Sequence, residues 1–94
     1  MKIRGVLWLE SVVEKLEVKH GVVAAEVEEV FASVGLRVRK MSRGRFRGED
    51  VYRALGTTVP GRHLAVFFIY KHSREALVLS ARDMDAKERR SYGR

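Results

Sequence analysis

The residues able to do chemistry in this sequence are its histidines, arginines and carboxylates, and the arginines dominate. His20 is the best placed for proton transfer, because imidazole titrates near neutral pH. Its other reading is a cation resting at the end of a helix, where the dipole favours it. Arginine presents a planar fork of donors that makes charge-assisted, often bidentate bonds to phosphate oxygens. Arg62 and Arg82 are candidates for that role, with ion pairing to Asp83, Asp85 or Glu88 as the alternative. The stretch RVRKMSRGRFRG, Arg37 to Gly48, adds six basic residues and no acid. His63 and His72 read as structural or solvated. Cysteine is absent, which excludes disulfides, thiolate metal sites and thiol nucleophiles. The three histidines lack metal-ligand spacing, and the glycines of SRGRFRG match neither a Walker loop nor a dinucleotide loop.

The net charge of +7 is concentrated. Residues 1–36 hold four Lys or Arg against six Glu, residues 37–47 six against none, and residues 48–94 nine against six. A patch of that density attracts polyanions through local potential and counterion release, although a solvated hairpin tip would have the same composition. The apolar content of 46% fits a folded chain, and 94 residues suit one small domain spanning 1–94. The longest apolar run, LAVFFIY, is strand-length, so neither a signal peptide nor a membrane span is expected and the reading is cytoplasmic. Asn and Gln are absent along with Cys, which together with the high charge suggests a thermophilic source.

The elements that must position these groups follow from periodicity. Residues 3–9, IRGVLWL, read as a first strand. Leu9, Val12, Val13 and Leu16 then share a helical face, and Gly21 suits a C-cap after Lys19 and His20. A second helix is expected over VAAEVEEVFASV, with Val23, Val27, Val30, Phe31 and Val34 inward, ending at Gly35. Beyond it the period is two: LRVRK places Leu36 and Val38 inward and Arg37 and Arg39 outward. DVYRALG, RHLAVFFIY and ALVLSAR follow as strands, with Pro60 and Gly61 expected at the centre of a type II turn. RHLAVFFIY is apolar on both faces, as a covered central strand would be. Asp85 and Glu88 have capping-box spacing at the start of a short terminal helix. Helices segregated from a four-strand meander make the fold α+β.

On these elements, Trp8, KHGV (19–22), EEVF (28–31), YRALGTTVPGR (52–62), SAR (80–82) and KERRSY (87–92) stand in an arrangement that resembles the BrnT-type toxins of toxin-antitoxin pairs, nearly end to end. The resemblance implies a RelE-like fold: a twisted antiparallel sheet, two N-terminal helices on one face and a short C-terminal helix. It implies a ribonuclease that cuts RNA without metal or other cofactor. It also implies a cognate ribbon-helix-helix antitoxin, with a homodimer or a toxin-antitoxin heterotetramer as the assembly.

Metal-free RNA cleavage needs a deprotonated 2′-hydroxyl, charge on the pentavalent phosphate and an acid for the leaving oxygen. Arg62 and Arg82 are expected to meet at one sheet edge and stabilise the phosphate, with His20 as acid or base and Asp50 as an alternative acid. Glu88 would orient an arginine or accept a proton. Lys19, Arg39, Lys40, Arg43, Arg45, Phe46, Arg47, Arg89 and Tyr92 are the candidates for holding RNA. The chain departs from the family pattern at Leu9, where an acid often follows the Trp, at Val12 and Val13 in place of a lysine, at Val23 in place of a capping serine, and at Val51 in place of an arginine. Those departures support a second reading, a toxin-like module that binds RNA or antitoxin but has lost catalysis.

Overall fold

The computed structural model describes residues 1–44 and 48–93. Along the chain lie β1 (Gly5–Leu7), α1 (Glu10–His20), α2 (Ala24–Ala32), β2 (Arg37–Ser42), β3 (Val51–Thr57), β4 (His63–Tyr70), β5 (Glu75–Asp83) and α3 (Ala86–Tyr92). The five strands form one sheet in the order β1-β5-β4-β3-β2. The meander from β2 to β5 is antiparallel throughout, but β1 pairs with β5 in parallel. The expected all-antiparallel sheet is therefore corrected to a mixed one. The two helices between β1 and the meander provide the crossover that a parallel pair requires.

Local chemistry explains most boundaries. Gly21 closes α1 in the left-handed region, at φ 60°, donating to the Glu17 carbonyl while the Val22 N–H reaches the Leu16 carbonyl. At the start of α3 the two expected bonds of the capping box are present: Glu88 N–H donates to Asp85 at 2.8 Å and Asp85 N–H to Glu88 at 2.9 Å. Three boundaries differ from expectation. The first strand covers three residues of the seven expected, and Leu9 is an exposed N-cap. The second helix stops at Ala32, because Ser33 turns to extended backbone and ties its hydroxyl to the Val30 carbonyl, which leaves Val34 in solvent. The β3–β4 turn is shifted by one residue: Gly61 N–H donates to the Thr58 carbonyl, so Val59 and Pro60 are central and Gly61, at φ 100°, is last.

The core has two sides. Leu16 of α1 and Val27 and Val30 of α2 pack with Ala54, Val66 and Phe68 of the sheet. Leu55, Ala65 and Met84 form a second cluster, against which Phe67 and Tyr92 rest. Adjacent strand residues point to opposite faces, so α1 and α2 cover one face and α3 part of the other. Burying Leu64 or Phe68 of the central strand contributes roughly 1.5–3 kcal/mol each relative to exposure. Gly56 lets α2 approach β3: a Cβ there would lie 2.7 Å from Ser33 Oγ and 2.9 Å from Val30 Cγ1. Gly56→Ala should therefore cost about 1–3 kcal/mol, seen as a lower denaturant midpoint with an unchanged slope. Among the described residues no helix is long and apolar enough to cross a membrane.

Candidate functional site

Two arginine centres organise the molecule, and strand alternation separates them. Register places Leu64 opposite Asp83 and Ala65 opposite Arg82. Asp83 therefore faces the α1–α2 side, where Arg62 binds it, and Arg82 faces the α3 side. The expectation that Arg62 and Arg82 meet at one edge is corrected: the strand ends do lie together, but their side chains emerge on opposite faces.

The Arg62 centre is a closed clamp. Nε and Nη2 grip Asp83 at 2.8 and 3.2 Å, Nη1 reaches Glu26 at 3.1 Å and the Gly21 carbonyl at 2.9 Å, and Nη2 also meets the His20 carbonyl at 3.2 Å. All five guanidinium donors thus have an acceptor. Hydrogen bonding to Asp83, and then to Glu26, raises the guanidinium pKa despite burial. The same bond holds the Asp83 carboxyl below the usual carboxylate range. The clamp joins the end of α1, the start of α2 and the end of β5. His20 belongs here, half-buried at the last position of α1 with its carbonyl engaged, and Lys19 beside it is exposed.

The second centre lies under α3. Glu88 is 5% exposed and accepts from Arg82 Nη1 at 2.6 Å and Nη2 at 3.0 Å. Burial pushes its carboxyl up, but the Arg82 bonds and the Asp85 backbone N–H outweigh that and hold it below the usual range. Hydrogen bonding to Glu88 raises Arg82 in turn. Arg82 also lies over the Phe67 ring, 5.2 Å from its centroid, and remains 35% exposed. Arg53 of β3 makes a third, longer contact with Glu88 at 3.4 Å.

A cleft of about 300 Å³ opens beside this cluster. Arg39, Lys40, Arg53 and Lys87 line it, with Asp85 and Glu88. Both carboxylates are committed to the α3 cap, which leaves the cleft predominantly cationic.

The end of β2 that leads into the basic segment also borders the cleft, through Lys40 and Met41. Asp50 holds that end, accepting from Lys40 Nζ at 2.9 Å and from the Gly44 N–H at 2.8 Å. The Lys40 bond, then the Gly44 bond, keeps this carboxyl low, which suits an ion pair better than a proton donor. Arg43 is exposed. Arg45, Phe46 and Arg47 lie outside the described residues. Arg89 and Arg90 are both exposed on α3. Tyr92 packs edge-on to His63 with Arg37 over its ring, and its hydroxyl lies against Gly35. It thus anchors α3 to the sheet. Trp8 donates to Glu28 at 3.3 Å and rests on the main core. Among the described residues, no three His, Asp or Glu side chains gather as a metal site.

Arg53 was missed in reading the sequence. A lone cation in the apolar run VYRALGT was the available signal, and alternation places it on the face opposite Ala54, beside Arg39.

This arrangement is that of a small α+β domain with one cationic face. The fold is similar to the 1.1 Å crystal structure of the Brucella abortus ribonuclease toxin, BrnT, with a TM-score of 0.63 and 22% sequence identity over 89% of this chain and 99% of that one. A comparison with curated proteins gives no significant match. The model of the family described as the ribonuclease toxin BrnT of type II toxin-antitoxin systems matches residues 8–88, and the chain belongs to that family.

Proposed function

We propose that this family member is a metal-independent endoribonuclease with a RelE-like fold, in which RNA lies on the α3 face of the sheet and is cut by attack of its own 2′-hydroxyl. The cationic cleft between β2, β3 and α3 is the observation that supports this reading. Arg82 is the residue assigned to the phosphate. Glu88 and Phe67 fix its guanidinium while a third of the side chain stays open, the pre-organisation that makes a cation effective on developing charge. Arg62, saturated on the other face, is assigned to holding α1, α2 and β5 together. His20 stands with it, so a proton-transfer role for His20 would require RNA to wrap around the end of the sheet. The proposed partner is a ribbon-helix-helix antitoxin.

Purified, antitoxin-free protein should cleave single-stranded RNA in the presence of chelator. Intact RNA from pH 6 to 9, with an active relative cutting alongside, would overturn the reading. The other reading, a binding module without catalysis, is favoured by the mutual neutralisation of Arg82 and Glu88. It predicts salt-sensitive RNA binding without products and without growth arrest on expression. In either case Arg43, Arg45 and Arg47 changed together to Glu should abolish RNA affinity at moderate salt, measured by fluorescence anisotropy. Retained antitoxin binding by that variant would show that the patch serves RNA.

A further inference from the structure

Arg53 is unusual within this site. Its side chain is 16% exposed, and its Nε is buried with no hydrogen-bond partner among the described residues. Buried donors are almost always paired, and an orphan guanidinium N–H beside an open cleft invites an acceptor that has yet to arrive. Glu88 satisfies little of the Arg53 charge: its two oxygens are bound by Arg82 at 2.6 and 3.0 Å, and Arg53 is left with one contact at 3.4 Å.

Arg39 sharpens the point. It stands directly across from Arg53 in the β2–β3 register, on the same face, and both line the cleft. Like charges directly opposite across an antiparallel pair destabilise the sheet. No ion pair to Arg39 is found among the described residues. The chain thus places two guanidiniums side by side, one exposed and one partly buried, with Glu88, already held by Arg82, as the carboxylate in contact with Arg53. An anion seated against both would relieve the repulsion and satisfy the buried N–H together. A phosphodiester suits this geometry, since two planar forks can each take one of its non-bridging oxygens.

We propose that Arg39 and Arg53 form a clamp for one RNA phosphodiester in the cleft beneath α3, with Glu88 as the buried counter-charge that holds Arg53 in place. This rests on the reading of the α3 face as the RNA-binding face. The test uses a 2′-O-methyl hexanucleotide, which cannot be cut by 2′-hydroxyl attack, and dimethyl phosphate as the minimal probe. Arg39→Gln and Arg53→Gln should each weaken hexanucleotide binding at least about tenfold and lower the salt slope by about one. The double variant should lose less than the product of the two losses, because either arginine alone leaves the clamp broken. Arg53→Lys should recover only part of the affinity. In the unaltered protein, dimethyl phosphate should shift the Arg53 Nε–H resonance in a nitrogen-15 spectrum.

Binding within twofold of wild type in both single variants, or a resonance that dimethyl phosphate leaves unmoved, overturns the clamp even if RNA is still cleaved. Affinity losses and a shifted resonance in a protein that leaves RNA intact uphold the clamp and overturn the nuclease reading. Should Arg53→Gln fail to fold, the exposed Arg39→Gln and the resonance measurement decide the matter.

Discussion

Glu88→Ala should lower the stability of the folded chain by about 3 kcal/mol, the low end of the range for removing one member of a buried ion pair, because Arg82 is 35% exposed and regains water. The carboxylate is 5% exposed and accepts from Arg82, Arg53 and the Asp85 N–H. Its loss strands two guanidiniums under α3 and halves the capping box. Against a typical total of about 5–15 kcal/mol, that is enough to unseat α3 at moderate temperature. Glu88→Gln keeps the shape and one acceptor but turns an amide N–H toward cations, so it recovers only part of the loss. The pH dependence has a definite sign. Glu88 titrates lower in the folded chain than in an unfolded one, so its contribution is complete above the unfolded carboxylate pKa and drains away as pH falls through the folded value. Denaturant midpoints measured from neutral to acid pH should fall steeply for the wild type and more shallowly for Glu88→Gln. Parallel curves would contradict the assignment.

Arg62→Ala should cost about 2 kcal/mol, the order of one or two net hydrogen bonds to charged groups. The figure is held down by solvent: Asp83 is 66% exposed and regains water when its partner is removed. The remaining loss comes from Glu26 and from the His20 and Gly21 carbonyls at the corner where α1 gives way to α2. Arg62→Lys should restore little, since an ammonium has three donors on one atom and cannot span acceptors on three elements. Asp83 also titrates low when folded, so this contribution too is present above the unfolded aspartate pKa and is lost in acid. Urea unfolding of the two variants tests the clamp. An Arg62→Lys chain that unfolds like wild type but has lost RNA cleavage would instead place Arg62 at the phosphate.

How far the sequence could be read depended on whether a feature was local. Gly21 at the end of α1, the Asp85–Glu88 box and the two-faced apolar strand β4 each follow from a few neighbouring residues, and each is where the pattern puts it. The direction of β1 is not local: three residues pair in parallel with β5 only because two helices carry the chain across first. The separation of Arg62 from Arg82 is likewise a matter of register. Neighbouring strand ends suggest proximity, but the alternation of Arg82 and Asp83 along β5 assigns the partners to different faces. Val34 follows the helical period perfectly and is still in solvent, because the Ser33 hydroxyl takes the Val30 carbonyl and stops the helix first. Arg53 was hidden for a related reason: its meaning depends on Arg39 across the hairpin and on Glu88 from a helix 35 residues away.

The proposed reaction is cleavage of RNA by its own 2′-hydroxyl, with arginines in the place of a metal. Analysis of the product ends tests it most directly. RNA incubated with antitoxin-free protein in chelator should yield fragments ending in 2′,3′-cyclic phosphate and 5′-hydroxyl, and a single 2′-deoxy substitution at the cleaved position should block the cut. Products ending in 3′-hydroxyl and 5′-phosphate, or cleavage that chelator abolishes, would contradict it.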